Sequence, residues 1–350
     1  MKYYLKDSFL SNEYEKNAGN KARNDVEAIL ISEGYKGLEL KVENWYKMNF
    51  FKAQQHKYRA LKSVFDQLGA GDELLIQFPI IHHTFFISQL IKQAQNRGVK
   101  FYLVIHDVET LRHVGNSAVK LRHKVRNYFQ EKAALTSVDG IIVHNDIMKN
   151  ALTIQGVPSD KMVSLEIFDY LIPNFEEKNV PQKEEAIIIA GNLIPTKSGY
   201  LYNLPEQPAY NLYGMGYDES RALKNTTYFG SFMPDDLPNA LQGSFGLVWD
   251  GDSSETCQGS FGNYLRINNS HKASLYLASG FPLVVWKESA LAHFVLDKQC
   301  GIAIDSLHDL QKALDDLTDR DYMKLSANAR QVGVALRNGD YLKSAISKLK

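Results

Sequence analysis

Short apolar runs alternate with amphipathic segments through the first half of the chain. The runs predict strands at 38–42, 73–78, 100–106 and 140–144. The segments around them predict the end of a helix at 25–32 and further helices at 51–68, 85–95 and 118–137. Apolar runs of this length, separated by helices, are typical of a parallel sheet that is covered on both faces. The pattern therefore predicts a doubly wound, Rossmann-like α/β domain over residues 1–172.

The composition changes near Pro173, where a polar stretch, 174–185, indicates a linker. A second series follows, with strands predicted at 186–190, 210–213, 227–229, 246–249 and 282–286, and helices at 271–279 and 307–317. This series predicts a second α/β domain over residues 173–330. The basic amphipathic tail from residue 321 is predicted to be helical, and we expect its last part, 331–350, to pack back on the first domain.

Two such domains place the carboxyl ends of both sheets around one cleft, which is where ligands of open α/β sheets bind. The residues that directly follow each predicted strand are therefore the candidates for function. The chain has 350 residues, more than one core usually supports, which agrees with two domains.

The charge balance excludes one class of function. The chain has 40 Lys and Arg against 40 Asp and Glu, whereas a nucleic-acid binder would show a basic excess. The two cysteines, Cys257 and Cys300, match no zinc spacing and suit a reducing compartment. Because the chain shows neither an apolar leader nor a run of about 18 apolar residues, we expect a cytoplasmic protein.

The polar segment 249–280 has the strongest chemical pattern in the chain. A predicted strand ends at Trp249, a glycine-containing loop follows, and a helix opens near Ser270, a suitable N-cap. Lys272 lies in the first turn of that helix, where a cation opposes the helix dipole unless an anion is bound. A diphosphate would satisfy both the helix amides and the ammonium. The alternative is a capped surface helix whose lysine points to water, and the spacing leaves both open.

Here the sequence resembles a known family. The segments 243–250, 268–272 and 277–282 resemble those of bacterial GT-B glycosyltransferases, with Tyr264 and the stretches 105–108 and 190–192 as further landmarks. That family includes β-1,6-galactofuranosyltransferases and the glucosyltransferase that extends GlcNAc on serine-rich-repeat adhesins. The segment beginning at Trp249 is more similar to the galactofuranosyl branch.

The resemblance implies a GT-B fold, with two Rossmann-like domains facing a central cleft. It also implies transfer of a hexose, galactofuranose or glucose, from a UDP-sugar to an acceptor glycan in cell-surface polysaccharide or glycoprotein assembly. Lys272 then corresponds to a lysine that contacts the donor diphosphate, and Tyr213 borders the nucleotide. Lys197 lies near the place of a phosphate-binding arginine, although lysine lacks the bidentate fork. The remaining donor-side candidates are Gly191, Asn192, Asp250, Asn268, Ser270 and His271.

Candidates for catalysis follow the strand predicted at 100–106. Asp107 is the first choice for a general base that deprotonates the acceptor hydroxyl, with His106 and Glu109 as further candidates. The alternative is that Asp107 caps the next helix and His106 packs beneath it. Arg112 comes soon after along the chain and is assigned to the acceptor side.

Two further places could contact the acceptor. His83 follows the strand predicted at 73–78, although a histidine in a loop is more often polar lining. Asn17 and Gly19 lie in a small-residue segment whose amides could approach the acceptor or the leaving group. That segment is at least as well interpreted as the turn that opens a helix. A G-x-G-x-x-G fingerprint is missing from the sequence, which disfavours an NAD enzyme such as a sugar-nucleotide epimerase.

The spacing of Asp250 and Asp252 could hold Mg²⁺ or Mn²⁺ beside a diphosphate. The family that the chain resembles does not rely on a metal, so we expect Asp250 to contact donor-sugar hydroxyls instead. The UDP-sugar is then a co-substrate, and neither a metal nor another cofactor is expected.

A basic helix face contains Lys120, Arg122, His123, Lys124 and Arg126. Such a face can bind anionic lipid at the inner face of the membrane, which would suit a lipid-linked acceptor. A run of charges on a helix is more often simply solvated. The expected partners are a UDP-sugar, a lipid-linked or protein-linked glycan and a second copy of the chain, but not nucleic acid. A rival hypothesis is a non-catalytic subunit that binds a sugar nucleotide or glycan and supports a partner transferase.

Overall fold

The computed structural model describes residues 1–7, 18–42, 47–80, 85–112 and 121–349, without the side chains of 18, 19 and 121–127. The described chain forms two six-stranded sheets in which every pairing is parallel. The first sheet has the order β2-β1-β3-β4-β5-β6, and the second has the order β12-β11-β10-β7-β8-β9. No helix in these ranges is long and apolar enough to cross a membrane.

The first sheet and its helices occupy the amino-terminal part of the chain. The strands are β1 (Lys2–Asp7), β2 (Lys36–Leu40), β3 (Glu73–Phe78), β4 (Lys100–Ile105), β5 (Gly140–Val143) and β6 (Met162–Ser164). The helices are α1 (Ala18–Ser32), α2 (Phe50–Phe65), α3 (Ile87–Gln95), α4 (Glu109–Arg112), α5 (Leu121–Ser137) and α6 (Asp146–Ile154).

The second sheet and its helices follow the linker. The strands are β7 (Ile187–Asn192), β8 (Tyr210–Met215), β9 (Thr226–Tyr228), β10 (Gly246–Val248), β11 (Leu283–Trp286) and β12 (Gly301–Ile304). The helices are α7 (Pro195–Ser198), α8 (Leu237–Ala240), α9 (Gly259–Tyr264), α10 (His271–Ala278), α11 (Ala290–Asp297), α12 (Leu310–Asp315), α13 (Asp319–Asn338) and α14 (Asp340–Ser347).

The structure confirms the alternation of strands and helices that the apolar pattern predicts, and β3 has the predicted bounds. Two predictions were wrong in detail. The loop predicted after Trp249 contains helix α9. Its Gly262 allows a close backbone contact rather than a flexible loop, since a Cβ there would lie 2.5 Å from the carbonyl carbon of Cys257. The helix predicted from residue 321 is broken at Gly339, whose φ of +75° ends α13 and begins α14.

The carboxy-terminal helix α14 packs on the first sheet. Leu342 and Ala345 belong to the same buried cluster as Leu75 and Val104 of β3 and β4. The carboxylate of Asp169 accepts the backbone N–H of Leu342 at 2.7 Å and that of Tyr341 at 3.2 Å, which caps the start of α14. The chain therefore crosses from the second sheet back to the first, while the domain bounds at 172 and 330 stay a prediction.

Helix α9 also connects the two halves, because a residue of the second half lies in the core of the first sheet. The Tyr264 side chain is 5% exposed and belongs to the core of the first sheet, although its helix follows β10 of the second. Parallel strands end at one edge of their sheet, so the segments after β4, β7 and β10 can meet between the sheets.

Candidate functional site

Lys272 and Asp250 form a shielded ion pair at the start of α10. Lys272 Nζ lies 2.8 Å from Asp250 Oδ1 and donates to the carbonyl oxygen of Trp249 at 2.9 Å. The side chains are 11% and 9% exposed. A carboxylate of the protein therefore neutralises the lysine that the sequence places against the helix dipole.

The amino terminus of α10 differs from the predicted cap. Ser270 occupies the N-cap position with extended backbone, but its side chain makes no capping hydrogen bond. The hydroxyl of Ser270 therefore leaves the amides of the first turn to another acceptor.

Gly191 brings the end of β7 against the same lysine. A Cβ at Gly191 would lie 3.4 Å from Lys272 Cε, and the glycine has a φ of +135°. The next residue, Asn192, is exposed and shapes the local turn: its Oδ1 accepts the backbone N–H of Ile194 at 3.1 Å. Gly191 is thus in the Lys272 site, and Asn192 lies at its rim.

Lys197 of α7 contributes a second ammonium. Its carbonyl oxygen accepts the backbone N–H of Gly251 at 2.9 Å, which joins α7 to the segment after β10. Burial lowers the pKa of Lys197; Asp250 opposes the shift, while Lys272 and Arg112 add to it. The lysine is therefore partly desolvated among other charges, which favours an anionic ligand.

Asp107 faces this group from the end of β4. Its Oδ2 lies 2.7 Å from Arg112 Nη1, and its Oδ1 accepts the backbone N–H of Val108 at 3.0 Å. The Arg112 guanidinium lies 5.6 Å from the ring centres of both Phe261 and Tyr264. Arg112 thus connects the first-domain carboxylate to helix α9 of the second.

His106, a further catalytic candidate, has packing partners instead. His106 Nε2 lies 2.7 Å from Gln77 Oε1, and its ring stacks on Phe168 with 5.3 Å between ring centres. Burial, helped by nearby Arg23, holds the pKa of His106 well below its usual range. The ring is therefore neutral and packs as in the alternative interpretation.

Glu109 opens helix α4, and its side chain is exposed. Glu131, which the sequence analysis missed, caps this helix. Its two carboxylate oxygens accept the backbone N–H groups of Glu109 and Thr110 at 2.8 and 3.0 Å. Burial raises the pKa of Glu131. Glu131, rather than Asp107, therefore fixes the position of α4.

Asn269 connects the two halves, and the sequence analysis missed it as well. Its backbone N–H donates to His144 Nδ1 at 3.1 Å, and its Nδ2 donates to the carbonyl oxygens of His144 and Glu166. Asn145 Nδ2 donates to Asn269 Oδ1 at 2.7 Å. With 4% exposure, Asn269 is a buried link between β5 and the start of α10.

Two neighbours of Lys272 keep unused polar atoms. Asn268 Oδ1 and His271 Nε2 are buried and have no hydrogen-bond partner within the described ranges. Burial lowers the pKa of His271 to about 4, with Lys21 adding to the shift, so the ring is neutral. Buried polar atoms without partners are costly, and a ligand in the cleft is one way to satisfy them.

Tyr213 lies apart from this group. It is fully buried, its ring stacks on Phe229 at 4.9 Å between centres, and its hydroxyl accepts the backbone N–H of Gln242 at 3.1 Å. Phe229, 38% exposed, is the ring of this pair that faces outward. The structure gives Tyr213 a packing role, and its contact with a nucleotide stays a prediction.

The predicted acceptor loop is in part a helix. Gly19 lies in the first turn of α1, as the alternative interpretation has it, because helix geometry begins at Ala18. Lys21, two residues further, pairs with Asp25 and with second-domain Asp235, each at 2.7 Å. Asn17, His83 and Lys120 lie outside the described residues, as do the side chains of Arg122, His123, Lys124 and Arg126.

Asp250 and Asp252 do not converge. Asp252 is exposed, and its Oδ1 accepts from Gln258 Nε2 at 3.2 Å, while Asp250 holds Lys272. Within the described ranges, no three His, Cys, Asp or Glu side chains are grouped so that they could bind a metal ion.

Sequence comparison with known proteins identifies the family of the chain. Residues 3–167 match the family described as glucosyltransferase 3-like, N-terminal domain, and residues 187–349 match its C-terminal domain. The chain is 33% identical over 284 residues to the Escherichia coli β-1,6-galactofuranosyltransferase WbbI, covering 79% of each protein. It is 23% identical to glucosyltransferase 3 of Streptococcus gordonii, covering 93% of this chain and 92% of that one.

The fold is also that of a solved structure, Anabaena HepE in complex with UDP-glucose, with a TM-score of 0.59 at 11% identity. The match covers 99% of each chain. Two parallel α/β sheets with this likeness are the GT-B fold that the sequence resemblance implies. Both halves of the described chain thus match one family, and the protein belongs to the glucosyltransferase 3-like family of GT-B glycosyltransferases.

Proposed function

We propose that this glycosyltransferase moves a hexose, galactofuranose or glucose, from a UDP-sugar to an acceptor glycan. One observation carries the proposal: three cations, Lys197, Lys272 and Arg112, gather with two carboxylates, Asp250 and Asp107, between the sheets. A partly desolvated group with excess positive charge favours an anion, and a nucleotide diphosphate supplies one.

The donor side is the Lys272 site. The diphosphate would lie at the start of α10, between the first-turn amides and the ammonium groups of Lys272 and Lys197. Asn268 and His271, with unused buried atoms, would contact the nucleotide or the donor sugar. As the bond between the anomeric carbon and the phosphate oxygen breaks, negative charge grows on UDP, and these cations would stabilise it.

The acceptor side is the Asp107 site. In the proposed reaction, Asp107 removes the proton of the acceptor hydroxyl while that oxygen attacks the anomeric carbon. The carboxylate is 22% exposed, so one part of it faces the cleft while Arg112 and Val108 hold the rest. The acceptor would be a lipid-linked or protein-linked glycan of a cell-surface polysaccharide or glycoprotein.

We infer that the reaction needs no metal or further cofactor and takes place in the cytoplasm. The three cations supply the positive charge that a divalent ion provides elsewhere, and Asp250 is engaged by one of them. Contact of the basic helix with the inner face of the membrane, and self-association, stay predictions.

The test begins with binding. UDP, GDP and TDP are compared by thermal shift, and selective stabilisation by UDP is expected because a ligand of the native state raises the melting temperature. UDP-galactofuranose and UDP-glucose are then assayed for UDP release with and without glycan acceptors. Binding without any release would favour the rival function, a non-catalytic sugar-nucleotide-binding subunit. Equal shifts with all three nucleotides would contradict the choice of UDP.

A further inference from the structure

We propose that Tyr264, on helix α9 of the second domain, is a positioning residue that holds the carboxylate of Asp107 toward the acceptor. The inference rests on the proposed function, in which Asp107 is the general base. The Tyr264 hydroxyl oxygen accepts the backbone N–H of Val108 at 3.1 Å, and the same N–H reaches Asp107 Oδ1 at 3.0 Å. The Val108 N–H thus lies between the hydroxyl of Tyr264 and the carboxylate of Asp107 at the end of β4.

The environment keeps Tyr264 as the neutral phenol. Its ring is buried in the core of the first sheet, beside residues such as Ile105 and Val108. Burial raises the pKa of Tyr264 well above its usual range, and the adjacent Asp107 charge adds to the shift. The phenol therefore stays protonated at any working pH, and it can neither titrate with Asp107 nor replace it as a base.

Arg112 fixes the second oxygen of the carboxylate. Its Nη1 lies 2.7 Å from Asp107 Oδ2, and its guanidinium lies over the Tyr264 ring. Both oxygens of Asp107 are therefore oriented, one by Arg112 and one by the Val108 N–H that also reaches Tyr264. Each carboxylate oxygen has two lone pairs, so these contacts leave room for an acceptor hydroxyl.

Tyr264 connects the proposed general base in the first domain to the donor-side segment of the second. In the chain, Tyr264 lies between Asp250, which follows β10, and Lys272, which lies in the first turn of α10. These two residues belong to the proposed donor site, whereas Asp107 follows β4 of the first sheet. The rate of proton removal depends steeply on the geometry of the base. Tyr264 therefore makes the geometry of the base depend on the docking of the donor domain.

The test is a double-mutant cycle with Tyr264→Phe and Asp107→Asn. Tyr264→Phe keeps the buried ring and removes the hydroxyl, so the Val108 N–H beside Asp107 loses one of its two acceptors. We expect kcat to fall about 2- to 10-fold, as for the loss of one neutral hydrogen bond. UDP affinity should stay close to that of the wild type. In the Asp107→Asn background, the same change should have almost no further effect on kcat, because Tyr264 acts through Asp107.

The matched control is Tyr322→Phe, which also removes a buried tyrosine hydroxyl. The Tyr322 hydroxyl donates to the carbonyl oxygen of Ser244 at 3.2 Å. It should lower the melting temperature about as much as Tyr264→Phe but leave kcat unchanged. Equal losses of kcat in both Asp107 backgrounds, or a loss of UDP affinity in step with kcat, would overturn the positioning role alone. A wild-type enzyme without any transfer would overturn the proposed function and this inference with it.

Discussion

Lys272 and Asp250 lie 2.8 Å apart at the start of α10, with the lysine also bound to the carbonyl oxygen of Trp249. The pair holds an ammonium at a helix terminus that would otherwise repel it. A lysine oriented in this way loses little conformational entropy when a diphosphate binds. The ion pair therefore prepares the proposed donor site before the donor arrives.

Replacing Lys272 with alanine should weaken UDP binding while the fold stays intact. The loss of one charge-assisted contact is expected to cost about 1.5–3 kcal/mol, a factor of about 10 to 150 in affinity. Titration calorimetry with UDP measures it. Lys287→Ala is the control, since that lysine forms a comparable ion pair with Asp305 at 2.9 Å but is exposed. Equal UDP affinity in the two variants would remove Lys272 from the donor site.

Asp107→Asn should separate catalysis from donor binding. Asparagine keeps the size of the side chain but cannot take the acceptor proton, so we expect kcat to fall about 10²- to 10⁴-fold. UDP affinity, which depends on the other domain, should change little. The control is Asp66→Asn, which alters an exposed carboxylate paired with Lys62. Near-normal turnover in Asp107→Asn would move the general base to another residue.

Transfer should survive an excess of EDTA, because Lys197, Lys272 and Arg112 supply the positive charge at the proposed diphosphate site. The measurement is the initial rate of UDP release with acceptor, before and after extensive chelation. Loss of the rate, with recovery on adding Mn²⁺, would instead make Asp250 and Asp252 metal ligands.

Asn269→Ala should destabilise the docking of the two domains. The change removes hydrogen bonds to the carbonyl oxygens of His144 and Glu166 and leaves Asn145 Nδ2 with one acceptor fewer. We expect a loss of about 2–3 kcal/mol, because buried polar groups lose their partners. Chemical denaturation measures it, with Asn328→Ala as control, because the hydrogen bond from Asn328 to the Gln299 carbonyl oxygen is exposed. Equal stability of the two variants would show that Asn269 contributes nothing to docking.

Asp169 should make stability fall as the pH rises. Burial raises its pKa in the folded protein to about 7, against about 3.9 in an unfolded chain. Between these values the folded state binds more protons, so this residue contributes less stability as the pH increases from about 4 to 7. The free energy of unfolding of the wild type, relative to that of Asp169→Asn, should therefore decrease over this range. A constant difference from pH 5 to pH 8 would contradict the shift.

Much of this protein is determined by local sequence. Apolar runs gave strands such as Glu73–Phe78, because a parallel sheet covered on both faces requires them. The position of Lys272 in the first turn of a helix pointed to an anion site, and the structure brings that residue beside Gly191, also predicted. These signals are local, since they need only neighbours within one turn or one strand.

Tertiary structure alone decided the contacts that assemble the site. Tyr264 meets Val108 across 156 positions of the chain, and Asn269 meets His144 across 125. No periodicity in the sequence encodes such long-range pairs, so the contacts of Tyr264 and Asn269 depend on how the two sheets pack together. For Tyr213, tertiary structure decided against the predicted orientation. A tyrosine near the end of a strand can face a ligand or the core, and Tyr213 lies in the core, where its ring stacks on Phe229. The sequence determines which elements form, and the burial of side chains between them determines which residues meet.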